Sequence, residues 1–177
     1  MIDFILTRTS TSSIETVFDA MTNHRAMAGD VWFFRRSTLD REGIPAPNGV
    51  GAIRRLVAIG PPFVEEITEF ERPTRYAYRM LSGAPTRDHT GTIELRETDT
   101  GTEVSWHLQA TLKLPAIDRL ALPIGKKFID QLLKGAITAA ERSATREPIA
   151  ALRLANDADR DVPTPPLGIN GDNGDKH

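Results

Sequence analysis

The order of its patterned segments constrains this chain more than any single motif does. Six or seven short stretches of alternating apolar and polar residues run from Ile2 to Leu114, and one long apolar-striped segment follows from about Pro123 to Arg146. Alternation with period two marks a half-buried strand, and apolar residues every three or four positions mark an amphipathic helix. Short strands joined by tight turns pair antiparallel. The expected fold class is therefore α+β, with a curved antiparallel sheet of six to seven strands wrapped around a long C-terminal helix. Such a layered pair leaves either a packed seam or a hollow between sheet and helix.

The first strand is expected over Ile2–Thr9, with Ile2, Phe4 and Leu6 on one parity. Ser10-Thr-Ser-Ser then offers a helix N-cap, and Glu15 stands three residues after Ser12, the spacing of a capping box. A short helix follows to about Thr22, then a weaker helical turn from Asn23 to Asp30, so two short helices are expected after the first strand. Val31–Ser37, with Trp32-Phe33-Phe34, reads as the second strand, and the Gly/Pro content of Arg41–Gly49 as a loop. Further strands are expected over Gly51–Ile59, Phe63–Phe70, Arg75–Leu81, around His89–Arg96, and over Thr102–Leu114. Asp99-Thr-Gly forms the last hairpin turn.

On the closing helix, Ile124, Phe128, Ile129, Leu132, Leu133, Ala136, Ile137 and Ala140 fill an apolar arc of about 220°. Pro123 suits its first turn, and Pro148 is expected to stop it. The arc is bulky in its first half and small in its second, around Gly135. Small residues there imply either close contact with the sheet or room for a ligand. Residues 1–149 are expected to form one domain. Residues 150–177 turn polar and Gly/Pro-rich, a composition expected to form a disordered tail.

Charge excludes several classes of function. Of 22 Lys/Arg and 24 Asp/Glu, three and five fall after residue 150, leaving 19 of each sign in the body. A neutral body argues against a nucleic-acid binder, and against a polybasic membrane-surface module. There is no cysteine, hence no disulfide and no thiolate metal site. The N-terminus has no signal-peptide pattern, and no apolar run is long enough to insert stably in a membrane. A cytoplasmic protein, monomer or homodimer, is expected.

No motif supplies a metal or cofactor. Gly49-Val-Gly51 precedes a strand and lacks the third glycine of a dinucleotide loop. Glu66 and Glu69 have a carboxylate-ligand spacing that converges only on a helix. The histidines are scattered. What remains is a set of polar and aromatic residues that strand parity turns inward. His89 shares parity with Gly91, Ile93 and Leu95, Tyr78 with Tyr76 and Met80, and Trp106 with Leu108. Arg54 and Arg55 are adjacent, as are Glu65 and Glu66, so one of each pair faces inward whichever register holds. An inward Arg and Glu either pair at the sheet rim or border a solvated pocket.

Several segments taken in order resemble a known family. Thr11-Ser-Ser-Ile-Glu-Thr-Val-Phe-Asp-Ala-Met-Thr-Asn, Gly49-Val-Gly-Ala-Ile-Arg-Arg, Glu66-Ile-Thr-Glu-Phe-Glu-Arg-Pro-Thr-Arg-Tyr-Ala-Tyr and Gly101-Thr-Glu-Val-Ser-Trp, followed by the closing helix to Glu141, resemble the START-like helix-grip superfamily (SRPBCC). The polyketide cyclase/dehydrase and lipid-transport branch is the nearest fit, over about Met1 to Arg146. The resemblance implies a helix-grip fold enclosing a pocket for a hydrophobic ligand, without a fixed catalytic set. The expected function is to carry or sequester a hydrophobic small molecule (a lipid, polyketide or aromatic metabolite), without cofactor. The expected wall is Trp32, Tyr78, Met80, His89, Trp106, Leu108, Phe128, Leu132 and Gly135. The alternative is a polyketide cyclase/dehydratase-like enzyme in the same pocket, with His89 as acid/base and Tyr78 and an inward arginine polarising a carbonyl.

Overall fold

The computed structural model describes residues 1–23, 35–57, 60–113 and 118–160, with side chains at 122–146 of the last stretch. Seven strands, β1 (Ile2–Ser10), β2 (Arg36–Arg41), β3 (Ile53–Val57), β4 (Phe63–Glu71), β5 (Arg75–Ser82), β6 (Thr86–Thr98) and β7 (Gly101–Leu112), form one antiparallel sheet. Its order is β1-β7-β6-β5-β4-β3-β2. Helix α1 (Ile14–Thr22) follows β1, and α2 (Asp118–Arg160) follows β7. The chain divides into two compact units, Met1–Thr145 and Arg146–His177.

Pairing register aligns the apolar parities across the sheet. Phe4 faces Leu108, Leu108 faces Gly91, Gly91 faces Tyr78, and Tyr78 faces Ile67. One step along, Leu6, Trp106, Ile93, Tyr76 and Phe70 form a second row. Because side chains alternate faces with period two, these rows give the sheet one apolar face, while Arg75, Arg79, Arg96 and their carboxylate partners occupy the other. Register shifts between Val64 and Glu65, Ile67 and Glu69, and Arg87 and Thr90 each add the local bend that an extra residue imposes.

Gly91 has a specific task in the first row. A Cβ there would run into the ring of Tyr78, its cross-strand partner. The aromatic ring lies over the glycine and covers the backbone that a larger residue would have covered.

Helix α1 is capped by Ser13, whose hydroxyl accepts from the Thr16 N–H at 3.4 Å. The expected box pairing Ser12 with Glu15 is not formed, because the cap falls one residue later and leaves Glu15 at the second helical position. Val17, Phe18 and Met21 are fully buried. Phe18 meets Phe70 edge-on at 5.2 Å between ring centroids, and the Tyr76 hydroxyl donates to the Met21 carbonyl at 3.2 Å. Among the described residues α1 is the one short helix after β1. The second expected one, from Asn23 to Asp30, lies outside the described residues except Asn23, which caps α1.

Two further expectations differ. The second strand was expected over Val31–Ser37, but β2 spans Arg36–Arg41, and Trp32-Phe33-Phe34 lies outside the described residues. Thr38 and Leu39 are held in the sheet by pairing with Arg55 and Arg54, contacts that propensity alone does not report. Helix α2 begins at Asp118, so Pro123 sits in its second turn, and it passes Pro148 to Arg160. Strong helix formers (Ala150, Ala151, Leu152, Arg153, Leu154, Ala155) favour continuation beyond a proline whose cost is about 3 kcal/mol.

On α2, Ile129, Leu132, Leu133, Ala136, Ile137 and Ala140 are buried. Ion pairs hold its outer side: Arg8 of β1 donates to Asp130 from Nε at 2.8 Å, and Lys134 reaches the same carboxylate at 2.7 Å. The Ser10 hydroxyl donates to Glu141 at 3.3 Å. We predict that Gly91→Ala destabilises the protein by about 1–3 kcal/mol, the usual cost of forcing atoms into a filled site. Urea unfolding of the two proteins, followed by circular dichroism, checks this.

Candidate ligand-binding site

Sheet and helix do not meet along their whole length. Between them lies a cavity of about 490 Å³. Its floor is the inward row of the sheet: Ile2 and Phe4 of β1, Trp106, Leu108, Ala110 and Leu112 of β7, Tyr76, Tyr78 and Met80 of β5, and Leu56 and Phe63. Its roof is the first half of the helix's apolar arc, Ile124, Gly125, Phe128, Ile129 and Leu132. Ala84 and Pro85 of the β5–β6 turn and Thr86 of β6 also line it, and Ile124 is 66% exposed. The expected burial of Ile124 is thus corrected: it lines the cavity but stays largely exposed.

Of the wall expected from sequence, Tyr78, Met80, His89, Trp106, Leu108, Phe128 and Leu132 line this cavity together. Gly135 does not. It lies seven residues beyond Phe128, about 10 Å further along the helix axis, where Leu133, Ala136 and Ala140 are fully buried in the core cluster. The hollow accompanies the bulky half of the helix, and the small half is covered. Trp32 lies outside the described residues.

The polar groups of the wall are few and buried. Cross-strand register sets Arg54 opposite Glu65, and Arg54 Nη2 meets Glu65 Oε1 at 2.9 Å with side chains 3% and 9% exposed. Arg55 and Glu66 point the other way, to Asp40 and to Arg41 and Arg79. The ambiguity left by the two doublets is resolved by pairing: β3 and β4 turn Arg54 and Glu65 to the concave side, inside the fold and not at its rim. Burial pushes the Glu65 carboxyl up, and Arg54 pulls it partly back. The guanidinium also lies 5.8 Å from the Tyr76 ring centroid. Arg54 Nε and Nη1 have no hydrogen-bond partner among the described residues.

Tyr78 sits between two other wall residues. Its ring centroid is 6.3 Å from that of His89 and 6.3 Å from that of Trp106, which it meets edge-on. Burial raises its phenol well above the ordinary tyrosine range, and the nearby Glu65 charge adds to this. The register shift between Arg87 and Thr90, with Asp88 at φ 50°, brings His89 to the cavity. Its Nδ1 lies 3.3 Å from the Thr86 hydroxyl, while its Nε2 has no partner among the described residues. Burial lowers the imidazole to about 4, so it is neutral at physiological pH. Trp106 Nε1 is likewise buried without a partner. A second, smaller cavity of about 270 Å³ adjoins Arg54 and is lined by Asn23, Ser37, Thr38, Leu39, Glu42, Pro47 and Asn48. No group of three metal-ligating side chains converges among the described residues, and no helix among them is long and apolar enough to cross a membrane.

Residues 1–145 match the family described as polyketide cyclase/dehydrase and lipid transport. The chain belongs to that family. No curated protein matches it. Among solved structures, a START superfamily protein from Mycobacterium smegmatis is similar, with a TM-score of 0.68 at 12% identity over 79% of this chain and 97% of that one. The di-domain ARO/CYC StfQ from the steffimycin biosynthetic pathway gives 0.67 at 14% identity, over 81% of this chain and 52% of that one. A Thermus thermophilus protein, TTHA0849, gives 0.65 at 17% identity, over 80% and 98%. At these identities the likeness is one of fold: the START-like helix-grip expected from the sequence.

For this member of the polyketide cyclase/dehydrase and lipid transport family, sequence reading underrated the Arg54–Glu65 pair. The signal was present in the two like-charged doublets on neighbouring strands, but which member turns inward depends on register. Two outcomes are expected. Arg54→Met alone leaves Glu65 buried without its partner and costs about 3–5 kcal/mol, whereas Arg54→Met/Glu65→Met costs much less, because the desolvation burden leaves with both charges; urea titrations of the three proteins measure this. His89 gains its proton near 6.5 when unfolded but only near 4 when folded. The unfolded state therefore binds more protons between those values, and stability falls as pH drops from 6.5 to 4, by up to about 3 kcal/mol. His89→Leu is expected to remove that part of the slope, read from unfolding midpoints at pH 7 and pH 4.5.

Proposed function

We propose that the cavity between sheet and C-terminal helix binds a hydrophobic small molecule (a lipid, polyketide or aromatic metabolite) and that the protein carries or sequesters it. The observation that carries this reading is the cavity itself: about 490 Å³, walled by aromatic and aliphatic side chains with a few buried polar groups. Ligand pockets commonly combine such volume, apolar lining and sparse orienting polar groups. A well-packed interior leaves few voids larger than one water, so an apolar space of this size calls for an occupant. Family membership supports a ligand-binding role of this general kind.

The acid/base chemistry of a cyclase or dehydratase is less well served by the same wall. A general base works best near the operating pH, and a His89 imidazole held at about 4 is a weak base. The Tyr78 phenol, raised by burial, gives up its proton with difficulty.

Mass spectrometry of an organic extract of the purified protein is the direct test, with a stoichiometric hydrophobic compound as the expected result. A companion variant, Ala110→Phe, puts a ring into the cavity floor. It is expected to weaken binding of the uncharged fluorophore N-phenyl-1-naphthylamine by about tenfold or more while retaining the far-ultraviolet spectrum. Undiminished binding in the folded variant would count against this cavity as the site.

A further inference from the structure

Strand direction sorts the sheet into two ends. In this antiparallel order the starts of β1, β2, β4 and β6 lie at the same end as the finishes of β3, β5 and β7. Glu141 of α2 meets Ser10 and Thr11 where β1 finishes, so the earlier turns of that helix run toward the end where β1 starts. There Ile124 and Gly125 share the cavity wall with Phe63, Pro85, Thr86 and Leu112. Seven large apolar side chains are exposed among the described residues, and four of them, Met1, Leu81, Leu122 and Ile124, stand at this one end. Apolar side chains scattered singly over a surface need no explanation, but a cluster of them does.

The same end is basic. Arg35 and Arg36 begin β2, Arg87 stands at the start of β6, Lys113 follows β7, and Lys126 and Lys127 lie on the early turns of α2, all of them exposed. Among the described residues of this end, Asp3 and Asp88 are the exposed acids, and the Asp3 carboxylate already meets His107 and Gln109. Ion pairing divides the cations of the molecule in the same way. Every described arginine from Arg41 to Arg79 holds a carboxylate, as do Arg8, Arg96 and Lys134. The six cations of the basic end have no carboxylate partner among the described residues. The turns at the far end carry Glu42, Glu71, Glu97 and Asp99. Net neutrality of the body, which argues against a polybasic module, averages over a molecule that is basic and apolar at one end.

We propose that this end of the fold docks on a lipid surface bearing anionic headgroups, with Leu122 and Ile124 entering the headgroup–acyl boundary and the lysines and arginines around them meeting the phosphates. Peripheral binding of this kind combines buried apolar area with attraction to anionic lipid, and neither signal suffices alone. Both are present here on one rim. Long cationic side chains suit the arrangement, because their stems lie along apolar surface while the charge reaches the headgroups; Lys126 already rests its Nζ 5.5 Å from the Phe4 ring centroid. The apolar side chains stand singly among cations, a pattern that fits a fluid surface better than the shaped pocket of a protein partner. This goes beyond the preceding reading and does not depend on the cavity being filled. Where both hold, Ile124, which is exposed and also lines the cavity, puts the ligand space next to the bilayer.

Flotation of the full-length protein with vesicles tests this, using phosphatidylcholine alone and phosphatidylcholine with roughly a third of phosphatidylglycerol. Partition onto the anionic vesicles is expected to be about tenfold or more stronger, since each basic residue near such a surface contributes about a factor of five, and to collapse at about 1 M salt, where screening is nearly complete. Lys126→Gln/Lys127→Gln is expected to weaken partition roughly tenfold or more, whereas Thr100→Glu/Ser143→Glu, the same change in net charge placed away from this end, leaves it within about twofold. Equal loss in both variants would mean that bulk charge and not this end binds, and would overturn the proposal. The chain has no cysteine, so Ile124→Cys and Thr100→Cys each accept one nitrobenzoxadiazole label; emission is expected to rise on anionic vesicles at position 124 and to stay flat at position 100. A rise at 100 without one at 124 places another face on the lipid and overturns the proposal. So does wild-type protein that floats with neither vesicle, or equally with both. Retention on poly-glutamate without vesicle binding reassigns the basic end to an acidic protein and likewise overturns it. An organic extract empty of ligand sinks the preceding reading and leaves vesicle binding untouched, so the two failures are distinguishable.

Discussion

A bent seven-stranded sheet closed by one helix encloses more space than the helix's inward side chains fill, and the architecture follows from where that deficit falls. Sheet and helix are held together at one end. There α1 seals the core with Val17, Phe18 and Met21, all fully buried, and Glu141 receives the Ser10 hydroxyl. The small residues Ala136 and Ala140 belong to this filled end. Toward the other end Phe128, Ile129 and Leu132 face Trp106, Leu108 and Ala110 across unfilled space. Protein interiors are otherwise close-packed, so the hollow is a localised feature, confined to the half of the helix whose side chains are largest.

The wall of that hollow breaks ordinary rules of core composition. A buried Arg–Glu pair gains little stability over apolar residues of similar volume, because desolvation offsets most of its attraction. Unpartnered polar atoms on Arg54, His89 and Trp106 add a further cost. Strands that place Leu, Ile and Ala elsewhere on the same face accept these groups only along the cavity. Departures from local consistency concentrate at functional positions in folded proteins, and here all of these particular departures line one space. The Gly91–Tyr78 contact belongs to the same pattern: a strand glycine, weak by propensity, is what allows an aromatic ring to lie flat between His89 and Trp106.

Several features were legible without coordinates because they depend on short-range order. Period-two alternation in β1, β5 and β7 turned Phe4, Tyr78, Met80, Trp106 and Leu108 to one face, and the helical stripe did the same for Phe128 and Leu132. The Asp99–Thr100 turn appears between β6 and β7 as the turn residues require. The helix ends were less legible. The N-cap of α1 moved by one residue, and α2 runs past Pro148, since a local breaker is a preference that neighbouring helix formers can outweigh.

By itself the sequence determined the fold class, the order of elements and the parity of most of the wall, because periodicity and turn chemistry are properties of neighbours along the chain. Tertiary structure alone decided which of Arg54 or Arg55, and which of Glu65 or Glu66, turns inward, since a strand's facing is set by register against partners and reverses with a slip of one residue. It also decided that the cavity lies beside Phe128 and not beside Gly135. Where space remains between two layers depends on their separation and curvature, and no local pattern encodes that distance.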